Sequence, residues 1–120
     1  MADDPEPDRF EMARAIATAR LVLGAEMNVQ APPNLSPHEI ELFLSAGIND
    51  WGGISPLTKD YVNPEAPWPH LTALAERCAQ AGFHLIQRLA IYPEYITGEW
   101  LDAALMPPVN RLAAQLTAEV

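Results

Sequence analysis

The residues best suited to chemistry lie in one stretch, residues 47–70, which reads GINDWGGISPLTKDYVNPEAPWPH. Gly52 and Gly53 can bring the backbone close to a ligand because they carry no Cβ. Ser55 adds a hydroxyl, and the prolines that follow stiffen the return of the chain. These residue types predict a rigid loop that carries the chemistry of the protein and comes close to a ligand.

Two larger side chains come directly before the glycine pair. Asp50 is placed so that its carboxylate could reach into a site, but an aspartate at a turn also often binds local backbone amides. Trp51 could stack on a flat ring, whereas large aromatic side chains more often fill a core. Both interpretations stay open for each residue.

Further polar candidates lie outside this loop. Gln30 and Asn34 flank a Pro-Pro turn, where Asn34 equally suits a plain turn residue. Arg88 falls in a predicted strand, and an arginine that faces a barrel interior must be paired, either with Asp50 or with a ligand carboxylate. All three are therefore candidate site residues.

Other charged and sulfur-containing residues favour structural roles. Lys59 beside Asp60 indicates a surface pair, worth under about 1 kcal/mol. Cys78, the single cysteine, lies on the apolar face of a predicted helix and is expected to be a buried thiol. The histidines fall in separate elements without the spacing of metal ligands, so no metal site is predicted.

Composition excludes several classes of partner. The formal net charge is −9, with 16 acidic and 7 basic residues, so the chain lacks the basic patch that nucleic-acid binding needs. The sequence contains neither a signal-peptide pattern nor an apolar run of about 18 residues. We therefore expect a cytoplasmic protein with no nucleic-acid partner and no membrane association.

A repeated order of elements predicts the fold class. Helices are expected from Asp8 to Gly24, from a Ser36 cap with Pro37 and Glu39 to Gly47, and from Pro69 to Gly82. Each is followed by a strand, at residues 27–31, 48–51 and 83–90. Helix, glycine and strand in this order predict parallel strands with right-handed crossovers, in an α/β fold. In such folds the site lies at the carboxyl ends of the strands, where the candidate loops fall.

The length of 120 residues is about half of what a complete α/β barrel needs, which is about 250 residues. We therefore expect three βα units of a barrel rather than a closed one. The predicted organisation is an acidic, disordered start at 1–7, a partial barrel at 8–97 and a helical extension at 98–120, in which Pro107 and Pro108 separate two short helices.

Three segments resemble one enzyme family. Residues 47–70, MNVQAPPNLSP at 27–37 and AGFHLIQRLAIYPEYI at 81–96 resemble the late part of the radical S-adenosylmethionine enzymes that make the deazaflavin chromophore. That family is the FO synthases, in which the matching portion is the CofG subunit or the corresponding half of the fused enzyme. The resemblance implies a TIM-like radical-SAM barrel, of which this chain would be a C-terminal part.

The resemblance also implies a function. In the full-length enzyme a 4Fe-4S cluster cleaves S-adenosyl-L-methionine, and the resulting radical closes a ring in a tyrosine-derived adduct of 5-amino-6-(D-ribitylamino)uracil, in coenzyme F-420 biosynthesis. The candidate residues would line the substrate or S-adenosylmethionine pocket: Gln30, Asn34, Asp50, Trp51, Gly52, Gly53, Ser55 and Arg88.

One expected motif is missing. The family binds its cluster through CxxxCxxC, and this chain has one cysteine. We therefore expect no cofactor and no radical activity on this chain alone, and a partner that supplies the N-terminal barrel portion with the cluster cysteines. The alternative is a non-catalytic interaction or oligomerisation module derived from that barrel, because open strand edges invite pairing. A related radical enzyme of menaquinone or deazaflavin biosynthesis is a weaker possibility.

Overall fold

The computed structural model describes residues 4–116, which form two compact units that divide between Gly82 and Phe83. In this part of the chain no helix combines the length and the apolar character that a membrane span requires. The helices are α1 (Arg9–Leu23), α2 (Ile40–Ala46), α3 (Leu71–Gln80), a 3-10 helix (Pro93–Tyr95) and α4 (Met106–Gln115).

The first helix begins and ends as its sequence predicts. The Asp8 side chain accepts hydrogen bonds from the backbone N–H groups of Phe10 and Glu11, at 2.7 and 2.8 Å. The Glu11 carboxylate in turn accepts from the Asp8 backbone N–H at 2.9 Å, which completes a capping box. Gly24 follows the last residue of α1 with a φ of 88°.

The predicted start of the second helix is wrong. α2 begins at Ile40, and Ser36 instead closes a turn in which its carbonyl accepts from the Glu39 backbone N–H at 3.1 Å. The Pro37 carbonyl is bonded by the guanidinium of Arg77, which also pairs with Glu41. Because α3 supplies this donor, the carbonyl that a helix from Pro37 would use internally is satisfied by a tertiary contact.

The core of the first unit lies among the three helices, with α1 packed on α2 and α2 on α3. Cys78 of α3 is 2% exposed, so the predicted buried thiol is confirmed. The other buried apolar side chains of this core are Ala13, Ile16, Ala31, Ile40, Phe43, Leu44, Ile48, Trp51 and Leu74.

The first two predicted strands pair in the expected parallel orientation, but only at one isolated bridge, between Gln30 and Asp50. The Asn49 backbone N–H donates to the Val29 carbonyl at 3.0 Å, and that of Ala31 donates to the Asp50 carbonyl at 3.2 Å. The third predicted strand, residues 83–90, lies in the second unit and is not formed as a strand there, because only Ile86 among these residues makes a β-bridge. The partial barrel therefore stays a prediction beyond this one parallel contact.

Arg20 joins the end of α1 to the starts of both paired segments. Its guanidinium donates to the carbonyls of Gly47 and Gly24, each at 2.8 Å, and to that of Met27 at 2.6 Å. It also donates to Asn49 Oδ1 at 3.3 Å. One cationic side chain thus binds a carbonyl at the end of α1, one at the start of the first paired segment and one just before the second.

The second unit differs from its prediction. Residues 98–105 form turns, and the single helix α4 contains Pro107 and Pro108 instead of being broken by them. Both prolines lie in the first turn, where backbone N–H groups have no acceptor inside the helix, so their missing donors cost little. Before α4, Tyr95 makes an edge contact with Trp100, their ring centroids 5.2 Å apart.

We expect Arg20→Met to lower the free energy of unfolding by about 2 to 3 kcal/mol, because several carbonyls lose a charged donor at once. Arg14→Met on the same helix is the matched control, since Arg14 makes one exposed bond to the Phe10 carbonyl at 3.3 Å. The control should change stability by no more than about 0.5 kcal/mol. Urea unfolding followed by circular dichroism measures both, and equal effects would contradict the role given to Arg20.

Candidate functional site

The carboxyl ends of the two paired segments bring Gln30, Asp50 and Gly52 together. Asp50 Oδ1 accepts the Gly52 backbone N–H at 2.6 Å, so its carboxylate makes the local turn contact that the sequence left open. Gly52 has a φ of 73°, and a Cβ added there would lie 2.9 Å from Gln30 Cδ. A side chain at position 52 is thus disfavoured by backbone strain and by contact with Gln30.

The residues on either side of Gly52 have opposite surroundings. Trp51 is 6% exposed and belongs to the core, which favours the packing role over stacking on a ligand. Gly53 is exposed, its φ lies outside the left-handed region, and a Cβ added there would meet no atom within 4 Å. Gly53 therefore presents open backbone to which a ligand could come close, whereas Gly52 is needed by the turn itself.

Ser55 shapes the next part of the loop. Its Oγ accepts from the Thr58 backbone N–H at 3.0 Å and from the Leu57 backbone N–H at 3.3 Å. The Thr58 hydroxyl donates to the same oxygen at 2.7 Å. Because these contacts use the acceptor capacity of Ser55, the hydroxyl hydrogen is what it can offer to a ligand.

Asn34 is the one predicted site residue whose polar side chain is deeply buried, with 3% exposure. Its Nδ2 donates to Asp60 Oδ2 at 2.9 Å and to the Ala66 carbonyl at 3.2 Å. Among the described residues, Asn34 Oδ1 is buried without a hydrogen-bond partner, and so is Nε1 of Trp68. A buried acceptor without a hydrogen bond lowers stability by about 1 to 3 kcal/mol, so a donor that reached this oxygen would be bound favourably.

Asp60 holds this part of the loop together. The sequence predicted only a surface pair with Lys59 and not this role. Its Oδ1 accepts from the backbone N–H groups of Val62 and Asn63, at 2.9 and 3.1 Å. Its Oδ2 accepts from Asn63 Nδ2 at 3.3 Å besides Asn34. These donors, led by the Asn63 N–H, lower the pKa of Asp60. The available signal was Asp-Tyr-Val-Asn-Pro, in which an aspartate precedes an asparagine-proline turn.

Arg88 lies in the second unit and makes contacts within its own segment. Its Nη1 donates to the carbonyls of Leu89 and Ala90, at 2.7 and 3.1 Å. Its guanidinium carbon lies 4.1 Å from the centroid of the Tyr92 ring, which is cation-π geometry. Because Asp50 belongs to the other unit, the predicted pairing of these two side chains stays a prediction.

The described residues contain no group of three or more His, Cys, Asp or Glu side chains that could hold a metal ion. A 4Fe-4S cluster needs several cysteine thiolates, and the one cysteine of this sequence is buried in α3. The residues of this chain therefore do not fit that cluster.

Comparison with curated proteins gives relatives that match almost the whole chain. The 7,8-didemethyl-8-hydroxy-5-deazariboflavin synthase of Methanopyrus kandleri is 50% identical over 113 residues, which are 94% of this chain and 34% of that protein. The FO synthase of Streptomyces avermitilis is 50% identical over 111 residues, which are 91% of this chain and 13% of that protein. A Methanothermobacter thermautotrophicus synthase is 41% identical over 93% of this chain.

These relatives are much longer than the chain, which spans 34% of the length of the Methanopyrus kandleri protein and less of the Streptomyces avermitilis one. No family model and no solved structure matches the chain. Identity of 40 to 50% over about nine-tenths of the chain nevertheless establishes common descent. The resemblance expected from the sequence is confirmed, and this chain is homologous to a segment of the proteins named FO synthase or 7,8-didemethyl-8-hydroxy-5-deazariboflavin synthase.

Proposed function

We propose that this chain forms part of the substrate pocket of an enzyme that makes 7,8-didemethyl-8-hydroxy-5-deazariboflavin for coenzyme F-420. The observation that carries the proposal is the 50% identity over 94% of the chain to a protein named for that product. The parallel contact between Gln30 and Asp50 supports the location of the pocket, because it brings two of the family-like segments side by side.

The chemistry proposed for the complete enzyme is that of a radical S-adenosylmethionine lyase acting on the tyrosine-derived adduct of 5-amino-6-(D-ribitylamino)uracil. When bound in the complete enzyme, the cluster and S-adenosylmethionine supply the radical reactivity. Cys78 is buried and alone, so the proposal assigns the cluster to an N-terminal barrel portion on which this chain depends. The chain by itself is expected to be inactive, and the proposed place of action is the cytoplasm.

The task proposed for this chain is to bind and orient the substrate while water is excluded. Gly53 offers open backbone, and Ser55 and Asn34 offer a hydroxyl donor and an amide acceptor. Such groups hold reacting atoms in place, and positioning of this kind lowers a barrier without supplying reactivity of its own. Gln30, Asp50 and Gly52 fix the loop that carries them.

Exposed apolar side chains support a partner that covers this chain. Leu57 is 92% exposed, Val62 86% and Leu21 85%. Leu21 lies on α1 and the other two lie in the loop, and a partner that covered them would bury apolar area that is now in contact with water. In the complete synthase we propose the remaining barrel portion as that partner.

The same exposed residues favour a second candidate function, a non-catalytic oligomerisation module. Both candidates predict contact with another polypeptide, but they differ in what the isolated chain does. Size-exclusion chromatography with light scattering separates them. A defined dimer supports the module, whereas a monomer supports the barrel segment.

Replacing the homologous segment of the Methanopyrus kandleri synthase with this chain should give a chimera that still forms the deazaflavin product. The isolated chain, reconstituted with iron and sulfide and given S-adenosylmethionine and a reductant, should give no 5′-deoxyadenosine above a protein-free control. Chromatography of both products is the measurement. A chimera with intact cluster absorbance and no product would contradict the proposed function, as would 5′-deoxyadenosine from the chain alone.

Substitutions of Gly52 and Gly53 should distinguish a role in binding the ligand from a role in folding. Gly53→Val in the chimera should abolish product formation with little change in stability, since its surroundings are open. Gly52→Ala should lower the free energy of unfolding by about 1 to 3 kcal/mol, through backbone strain and contact with Gln30. Melting temperature and turnover are measured on one preparation of each variant. Unchanged turnover in Gly53→Val would remove Gly53 from the pocket.

A further inference from the structure

We propose that Asp60 is a positioning residue for the substrate. It forms a clasp between the loop at residues 47–70 and the turn before α2, and so holds the Asn34 carboxamide in one orientation. In that orientation Asn34 Oδ1 can accept a hydrogen bond from a hydroxyl or N–H group of the substrate. This clasp consists of the bonds from Asn34 Nδ2 to Asp60 Oδ2 and to the Ala66 carbonyl. The role for substrate rests on the proposed function, and it adds a residue that the resemblance does not assign.

The orientation of the Asn34 amide follows from the groups around it. Both contacts of Nδ2 are acceptors, a carboxylate oxygen at 2.9 Å and a backbone carbonyl at 3.2 Å. Rotating the amide by half a turn would place Oδ1 against both of them, and three acceptors would then face one another without a proton between them. The Asp60 carboxylate thereby selects the orientation in which Oδ1 points away from the clasp.

The unpaired oxygen is what connects the clasp to a ligand. Asn34 is 3% exposed, and its Oδ1 is buried without a partner among the described residues. A neutral acceptor accepts from a hydroxyl or an N–H and does not pair with an anion, which fixes the class of group that it recognises. Both Nδ2 bonds must stay intact for Oδ1 to keep this orientation, so a substrate donor would have to displace other covering atoms and not the clasp.

A purely local role for Asp60 makes a different prediction. Asp60 Oδ1 bonds the backbone N–H groups of Val62 and Asn63, and these contacts alone would shape a turn. Asp60→Asn separates the two roles, because an asparagine keeps one oxygen for the backbone donors. Its Nδ2 would take the place of Oδ2 and face the Asn34 Nδ2, donor against donor.

The first test measures the Asn34 side-chain amide in the full chain by nuclear magnetic resonance. In Asp60→Asn we expect its hydrogens to exchange about tenfold faster or more, as when a bond to a charged group is lost. The Val62 and Asn63 backbone amides should keep their protection. Asp102→Asn is the matched control, because Asp102 Oδ1 also accepts a local backbone N–H, from Ala104 at 2.8 Å, in the other unit. Unchanged exchange at Asn34 in Asp60→Asn would overturn the clasp.

The second test measures KM and kcat for the tyrosine-derived adduct in the Methanopyrus kandleri chimera. Asp60→Asn should raise KM several-fold more than Asp102→Asn, with the cluster absorbance unchanged. Faster exchange at Asn34 with an unaltered KM and kcat would overturn the positioning role and leave the proposed function standing. A chimera with native Asp60 that folds, carries its cluster and makes no product would instead contradict the proposed function, while the exchange result would still decide the clasp.

Discussion

The hydrogen bonds of Arg20 are the constraint on which the first unit depends. One guanidinium binds the carbonyl that ends α1, the carbonyl at the start of the first extended segment and the carbonyl of Gly47 before the second. The two segments share a single bridge, so a backbone ladder cannot set their register by itself. A charged donor with several carbonyl acceptors replaces the ladder at the end where both segments begin.

Gly47 makes this arrangement possible in two ways. Its φ of 118° lets the chain leave α2 in a conformation that other residues rarely adopt. A Cβ there would also lie 2.8 Å from Arg20 Cγ, so the missing side chain gives the arginine its path to the carbonyl. Because Arg20 occupies the starts of the parallel segments, their carboxyl ends at Gln30 and Asp50 are left for the candidate site.

Local sequence rules predicted the start of α1 and the glycine ends of two helices, and several of the contacts that they missed join residues far apart in the sequence. The Asp8 capping box and the glycine ends of α1 and α2 follow from short-range rules, and the structure contains them. The parallel contact of the first two segments follows instead from the repeated order of helix and strand. Ser36 fails as a helix cap because α3 supplies Arg77 to the Pro37 carbonyl, 40 residues away in sequence. The bond from Asn34 to Asp60 was not predicted because it spans 26 residues, although the bonds of Asp60 to Val62 and Asn63 are local.

The candidate site combines both kinds of interaction, and that combination explains how an irregular loop can carry function. Short-range bonds from Asp50 to Gly52, from Ser55 to Thr58 and from Asp60 to Asn63 each order a few residues without help from the rest of the fold. They cannot place the loop as a whole, because each closes a ring of only two or three residues. Placement comes from contacts with the turn before α2, namely the bonds of Asn34 to Asp60 and to the Ala66 carbonyl. The internal shape of the loop and its placement therefore depend on different bonds, so a substitution such as Asp60→Asn can disturb the placement while Asp50 and Ser55 keep their local turns.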